Sequence, residues 1–355
     1  MPQKVLAVVP VYNGELSIII KAVRSLLSQN YPFLRIVVID DHSEGSLYSS
    51  LSKVFSDIPQ VILVRNEENI GFAQTLNRGL KFVSDETYLL VLEQDCELLS
   101  SNYVAEALKH FNDDSVGVVS GENLLPPTEE LSLMKRIFVN HLCENVHDSS
   151  VVEIGFSLLK ADFFRIAVID KVGGFESSAK WKFASEEHLI SYKIRLSGYK
   201  ILKDNRLRFR AYWGGQETLL QNLRKEVIYG RGLGWALARM KTDLKTGGSE
   251  QLKSKKLCRI METQYVLLKI SSIILFLYFP LLSLTLATLT TLVLFVYLAN
   301  RASVFSNVKE KFLFIATGFV RSWVYIPNFF LGFMYGFVIR YKKKIKENPG
   351  INEGE

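Results

Sequence analysis

Three cysteines, five histidines and nine prolines in 355 residues set the first limits. Cys96, Cys143 and Cys258 show neither paired spacing nor a CxxC, so free thiols in a reducing compartment are expected. The histidines are scattered, with no HxxxH and no Cys/His cluster, which leaves no zinc pattern. No GxGxxG follows the first apolar run and no GxxxxGK[ST] occurs, which disfavours dinucleotide and P-loop sites. No fixed-period repeat is present. The opening "MPQKVLAVVPVYN" lacks the marks of a signal peptide: its apolar run is short, is interrupted by Pro10, and leads to no small-residue cleavage pattern. The first domain is therefore expected to stay in the cytoplasm.

The net charge of +7 is unevenly placed. Up to about Lys200 acids and bases are mixed. After it come "NRLRFR", "NLRKEVIYGRG", "LKSKKLCR" and "RYKKKIK". Such a balance suits nucleic acid or an anionic membrane surface. The apolar segments beside these stretches favour the membrane, and no nucleic acid partner is expected.

Residues 1–125 alternate short apolar runs with amphipathic segments. "KVLAVVPVY", "RIVVIDD", "VILVRNE", "TYLLVLEQD" and "SVGVVSG" read as strands. "SIIIKAVRSLLSQ", "GSLYSSLSKVF", "GFAQTLNRGLKFV" and "SNYVAEALKHF" read as helices. Runs of Val, Ile and Leu alternating with helices imply an α/β fold with a mostly parallel sheet covered on both faces. Ligands in such sheets bind beyond the carboxyl ends of the strands. Residues 126–260 are less regular, with a Gly-Gly turn in "KVGGFE" and a helix ending near Gly198. "ETLLQNLRKEVIYGRGLGWALARMK" has two readings: a basic helix in a membrane interface, or an amphipathic helix on the domain's own core.

Residues 270–299 carry no charge, a transmembrane pattern. Fully helical, they would extend about 45 Å, more than a bilayer core of about 30 Å. They must tilt, extend past the core, or break at Pro280 into a hairpin. A second apolar segment, 322–339, follows Arg321 and ends at "RYKKKIK". Two spans put both basic flanks on the cytoplasmic side, as the positive-inside rule asks. The expected organisation is a cytoplasmic catalytic domain over 1–240, a basic juxtamembrane linker over 241–269, a membrane region over 270–341 and a basic tail over 342–355.

The stretch "YLLVLEQDCELL" ends an apolar run in Glu93, Asp95 and Glu97, spaced by two. Residues two apart in a strand point to one side, so the three carboxylates are expected to converge at the end of the sheet. Unpaired, they would raise one another's pKa values, and a hard cation such as Mg²⁺ or Mn²⁺ would relieve that. An acid–x–acid at a strand end reads equally as a solvated loop until other polar residues join it. Pro10, Tyr12, Asn13 and Glu15 end the first strand, Asp40, Asp41 and Ser43 end the second, and Asn69, Gly71 and Asn77 surround the start of the next helix. Four strands thus deliver polar residues to one edge, which points to a single ligand site.

Taken in order, "VVPVYNGE", "VVIDDHSEG", "ENIGFAQTLNRGL", "LEQDCEL", "VGGFE" and "SEEHLISYKIRLSGYKI" resemble family 2 glycosyltransferases of the GT-A fold, over roughly residues 4–235. The resemblance implies transfer of a sugar from a nucleoside diphosphate sugar (UDP-, GDP- or dTDP-linked), with inversion and with a divalent metal. It implies that Pro10, Tyr12, Asn13 and Glu15 line the base and ribose. Asp40, with Asp41 beside it, would hydrogen-bond the base, and Asn69, Gly71 and Asn77 would shape the diphosphate and sugar region. Glu93–Gln94–Asp95 would fill the DxD position, with Asp95 the metal contact and Glu97 a third acid. Glu186 and Glu187 align with the family's Glu-Asp pair, and Glu187, matching the second acid, is assigned as the base. Trp213 and Arg231 are placed at the acceptor. The sequence departs from the family pattern with Glu at 93 and 187, His42 where Gly is common, and Lys225 where a QxxRW motif has Trp. The expected product is a single sugar on a polyprenyl phosphate or lipid-linked glycan. A non-catalytic membrane scaffold and a processive polysaccharide synthase are the alternatives.

Overall fold

The computed structural model describes residues 3–124, 132–134, 136–137, 150–176, 185–212, 218–240, 264, 266–271, 280–305 and 307–347. They form two compact units. The first holds the described residues up to Tyr212, except those in 132–137; the second holds these and everything from Thr218 onward.

In the first unit, β1 (Val5–Val11), β2 (Leu34–Asp40), β3 (Val61–Arg65) and β4 (Tyr88–Leu92) are the apolar runs at which strands are expected. All seven residues of β1 are buried. Val5, Ala7, Val9 and Val11 join one core with α1 (Leu16–Leu27), α2 (Leu47–Phe55) and α4 (Tyr103–Lys109). Leu6 and Val8 point the other way, into a core that includes Ala73 and Leu76 of α3 (Phe72–Leu80). Each such side chain contributes about 1.5–3 kcal/mol by leaving water, which is why the run shows no polar alternation. A Cβ at Gly79 of α3 would lie 2.7 Å from Val8 Cγ1, so the helix sits almost directly on the strand.

The described strands form one sheet in the order β3-β2-β1-β4-β8-β6-β9-β5, with β7 (Val151–Glu153) paired to β9. β3 through β4 are parallel, as expected. β8 (Ala161–Arg165) then runs antiparallel to both β4 and β6 (Val116–Leu124), while β6 and β9 (Lys200–Ala211) are parallel. The sheet is therefore mixed. Its parallel half aligns the carboxyl ends of four strands at one edge: Val11 lies beside Asp40, Asp40 beside Arg65, and β4 stops at Leu92.

Beyond Leu92 the chain turns. Cys96 N–H donates to Glu93 O at 3.0 Å, and β5 (Cys96–Leu98) starts afresh, antiparallel to β9, with Glu97 opposite Arg210. This corrects the expectation that Glu93, Asp95 and Glu97 share a strand face. Period-two geometry holds only along a continuous strand. After β8 follow α5 (Ile166–Val172) and α6 (Glu186–Leu196).

The second unit is helical. α7 (Leu219–Arg239) opens with a capping box: Thr218 Oγ1 accepts Gln221 N–H at 3.3 Å, and Gln221 Oε1 accepts Thr218 N–H at 2.7 Å. α8 (Pro280–Arg301) and α9 (Val308–Glu347) complete it. α7 lies against α9 with backbones nearly touching: a Cβ at Gly234 would come within 1.9 Å of Phe329 O, and one at Gly332 within 2.0 Å of Arg231 O. Glu226 and Arg321 meet across this contact at 2.9 Å, both almost fully buried. Removing either partner alone would cost about 3–5 kcal/mol. α7 is thus a packed helix, with Leu220, Ile228 and Tyr229 left exposed. Among the described residues no helix is long and apolar enough to cross a membrane. Residues 272–279 of the uncharged run lie outside them, and the segment 322–339 is part of α9.

Candidate functional site

A cavity of about 570 Å³ opens at the sheet edge where the parallel strands end. Pro10 and Tyr12 line it from β1, Asp41 from β2, Asn69, Gly71, Phe72 and Thr75 from the start of α3, and Glu93, Gln94 and Asp95 from the turn after β4. Eight of these are the residues singled out in the sequence; Phe72 and Thr75 are additions. Both follow Gly71 within one helical turn, so the helix start was the signal for them.

Each loop is held by a polar side chain. Gln94 Oε1 accepts Tyr12 N–H at 3.0 Å, and Gln94 Nε2 donates to Tyr12 O at 3.1 Å. Gly14 makes room, since a Cβ there would lie 2.5 Å from Gln94 Oε1. Tyr12 is left 46% exposed, its ring available to a flat ligand. Asp41 is 4% exposed, and its carboxylate accepts Ile70 N–H and Gly71 N–H, each at 2.8 Å, and Asn66 Nδ2 at 2.7 Å. A carboxylate at the N-terminus of α3 satisfies donors that a helix leaves open and complements its dipole. Gly71 has φ +84°, a conformation that suits glycine.

Other expected contacts are used inside the fold. Asn13, at φ 47°, donates its N–H to Ser43 Oγ at 2.9 Å and accepts Glu44 N–H at 2.8 Å, tying the β1 and β2 loops together. Glu15 precedes α1 and accepts Ser17 Oγ at 2.6 Å. Asp40 is 0% exposed; it accepts Ser43 N–H at 3.1 Å, faces Arg65 Nε at 3.2 Å and is not among the residues that line the cavity. Asn77 clamps Phe175, accepting its N–H at 2.9 Å and donating to its carbonyl at 2.8 Å, so it fixes the Gly-Gly turn instead of facing the cavity. Glu97 Oε2 accepts the Tyr212 hydroxyl at 2.5 Å. It is absent from the acidic group, which consists of Glu93, Asp95 and Cys96 with ligand atoms within 4.8 Å of one another. Trp213 lies outside the described residues. Arg231 sits in the helical unit, where Nε donates to Asn328 Oδ1 at 2.8 Å.

The acidic group has a cation that sequence reasoning missed. Lys160 Nζ pairs with Glu93 Oε2. Burial would lower the Lys160 pKa, but Glu93 and then Asp95 outweigh it and hold the ammonium protonated. Burial raises Glu93 against the pull of Lys160, and Asp95 and Glu187 add to the rise. Cys96 is fully buried and its thiol is pushed up by desolvation and by Asp95, which keeps it a poor ligand for a hard cation. The donor chemistry of Glu93 and Asp95, which both line the cavity, fits Mg²⁺ or Mn²⁺.

Glu186 and Glu187 begin α6, near enough to Glu93 for their charges to be felt there. They are adjacent in sequence yet opposite in character. Burial, then Glu187, pushes Glu186 up to about 8, so it is protonated at neutral pH. Glu187 is half-buried, and desolvation would raise it, but His188, whose Nδ1 lies 2.9 Å from Glu187 Oε1, outweighs this and holds its carboxyl below the usual range. Phe156 stacks on His188 at 4.4 Å between ring centroids. An ionised carboxylate beside a neutral one is the arrangement a general base needs.

Mixed α/β topology, an edge cavity and an acidic turn after the fourth parallel strand match the GT-A fold of nucleotide-sugar transferases. In fold the chain is similar to the mannosyltransferase PcManGT from Pyrobaculum calidifontis in complex with GDP-Man and Mn²⁺, with a TM-score of 0.57 and 16% identity over 94% of this chain and 87% of that one. It is likewise similar to GalNAc-T7 with UDP, GalNAc and Mn²⁺, with a TM-score of 0.52 and 15% identity over 73% of this chain and 51% of that one. Residues 6–174, a little under half of the chain, match the family model described as Glycosyl transferase family 2. It is 28% identical over 141 residues to the hyaluronan synthase of Streptococcus pyogenes, a match covering 38% of this chain and 32% of that protein. It is 29% identical over 118 residues to the glycosyltransferase GlyA of Streptococcus pneumoniae, covering 33% of this chain and 16% of that protein. The chain thus spans about a third or less of the length of these curated relatives.

Proposed function

We propose that the protein transfers one sugar from a nucleoside diphosphate sugar to a membrane-associated acceptor, a polyprenyl phosphate or a lipid-linked glycan, by metal-dependent inverting displacement. The observation that carries this reading is the edge cavity, which gathers Tyr12, Asp41, Asn69, Gly71 and Asp95 in one place with Glu187 in electrostatic range of its acidic turn. Tyr12 offers a ring for the base, and the Gly71 turn lets the chain approach the diphosphate. A divalent ion held by Asp95, when bound, supplies positive charge to the departing diphosphate. Where the acceptor is a lipid-linked glycan, Glu187 accepts the proton of its attacking hydroxyl; a polyprenyl phosphate attacks through an oxygen that is already ionised. The attacking oxygen forms its bond to the anomeric carbon on the face opposite the breaking bond to the diphosphate. Glu186, neutral, adds no second negative charge beside the base.

The membrane part of the reading rests on the helical unit. Leu289, Leu292 and Val296 of α8 are each more than half exposed, as are Phe312, Leu331 and Met334 of α9. Apolar surface of this kind on two helices, next to an uncharged run and basic flanks, suits a lipid surface. The chain would lie at the cell membrane with its catalytic domain on the cytoplasmic face, spanning twice over 270–299 and 322–339. The donor nucleotide is drawn from UDP, GDP and dTDP.

The likeness to hyaluronan synthase supports a second reading, a processive synthase. Two observations favour single transfer: Gln221 is engaged in the α7 cap, and Lys225 stands where the QxxRW motif has Trp. The test is incubation of membranes containing the protein with each radiolabelled nucleotide sugar, followed by extraction into organic solvent and sizing of the product. A single-sugar lipid product supports the reading; a water-soluble polymer supports the synthase.

A further inference from the structure

β4 and β8 pair antiparallel with Leu92 opposite Ala161, and the ladder continues one step further, where Glu93 N–H donates to Lys160 O at 2.8 Å. That step puts two side chains of opposite charge side by side at the cavity's acidic corner. Lys160 Nζ reaches Glu93 Oε2, and the two side chains are only 14% and 27% exposed. Glu93 therefore has a resident cation, and the charge of Asp95 is felt at the same ammonium.

We propose that Lys160 is a positioning residue that engages Glu93 and leaves Asp95 as the turn's direct carboxylate contact for the divalent ion. This rests on the reading of the cavity as the metal–nucleotide site. Two consequences follow from the charges. Without metal, the ammonium keeps Glu93 from repelling Asp95 and Glu187, so the turn is formed before ligand arrives. With metal, an ammonium beside the ion weakens its binding to the protein, so the ion is retained chiefly when a diphosphate is present to share it. The glutamate at the position where the family has aspartate then has a physical account: its longer arm reaches the lysine.

The experiment titrates Mn²⁺ alone, by the loss of the free-ion EPR signal, into the purified full chain and four variants. Lys160→Met keeps the apolar stem and frees Glu93 to ligate; Mn²⁺ affinity is expected to rise about tenfold, the scale of effect that groups supporting a ligand exert. Glu93→Gln in the wild-type background leaves the Lys160 ammonium uncompensated and is expected to weaken Mn²⁺ binding, but by less than Asp95→Asn does. Combining it with Lys160→Met should abolish the gain. Asp95→Asn should remove detectable binding. Melting curves with and without Mn²⁺ guard against misfolding: Mn²⁺ should raise the Tm of the Lys160→Met variant more than that of wild type. The proposal is overturned if Lys160→Met leaves affinity unchanged or lowers it, or if Glu93→Gln weakens Mn²⁺ as strongly as Asp95→Asn. Absence of Mn²⁺ binding by folded wild type, with or without UDP, GDP or dTDP, would instead overturn the metal–nucleotide reading on which it rests.

Discussion

The side-chain amide of Gln94 and the backbone of Tyr12 exchange two hydrogen bonds, at 3.0 and 3.1 Å, which lock the turn after β4 to the loop after β1. One side of the cavity carries the exposed tyrosine ring and the other the acidic turn, so their spacing depends on this exchange. Gln94→Ala removes both bonds, about 1 kcal/mol each net. The expected outcome is a 5- to 30-fold weaker nucleotide affinity, about 1–2 kcal/mol, with a small change in Tm. Calorimetry with the preferred nucleotide checks it. Gln94→Glu, which keeps only the acceptor, should fall between the two.

Asp41 acts on the opposite wall. It accepts from Asn66, Ile70 and Gly71, and the loop it orders carries Asn69 into the cavity. Asp41→Ala leaves buried donors at a helix start without an acceptor, a loss of about 2–4 kcal/mol. Both Tm and donor affinity should fall. Asp41→Asn, which can still accept one of these bonds, should lose less of each.

His188 sets the protonation of the proposed base. Its position 2.9 Å from Glu187 Oε1 holds that carboxyl low despite burial. A base works only when ionised, so the acid limb of the pH–rate profile reports this group. His188→Gln removes the imidazole beside Glu187, and the limb should move to higher pH while the maximal rate at alkaline pH is largely kept. An unmoved limb would mean that Glu187 is not the titrating base.

Glu186 has the opposite sign. The folded protein holds its proton up to about pH 8, whereas an unperturbed carboxyl releases it near 4.5. The folded state therefore binds more protons across that window, and stability falls as pH rises through it. Gln at 186 cannot release a proton. Glu186→Gln in EDTA should match wild type below pH 4.5 and melt progressively higher than wild type as pH rises towards 8. Parallel melting curves across that range would contradict the assignment.

Much of the parallel half was legible because its signals are local. β1 to β4 are unbroken apolar runs ending in polar residues, and α1 to α3 have helical spacing. The cavity forms where those ends align, so Tyr12, Asp41, Gly71 and Asp95 could be named from strand ends alone. The antiparallel half was less legible because its pairings are long-range. Lys160 looks like a lone lysine until β8 is set against β4, 67 residues away from Glu93. Glu97 looks like the third member of an alternating acidic face because no Gly or Pro marks the turn at 93–96. The resemblance places Asn77 and Asp40 at the ligand; Phe175 and Arg65, the partners they meet, become neighbours only in the fold. In sequence only the resemblance sets Glu187 apart from Glu186; in the structure a neighbouring imidazole separates them.

The most direct test of the central claim is calorimetry of the detergent-purified protein with UDP, GDP and dTDP, each with Mn²⁺ and then with EDTA, in wild type and Asp95→Ala. The expected result is tight binding of one nucleotide that needs Mn²⁺ and is lost in Asp95→Ala at unchanged Tm. Nucleotide binding indifferent to both EDTA and Asp95→Ala, or no binding by a folded sample, would contradict it.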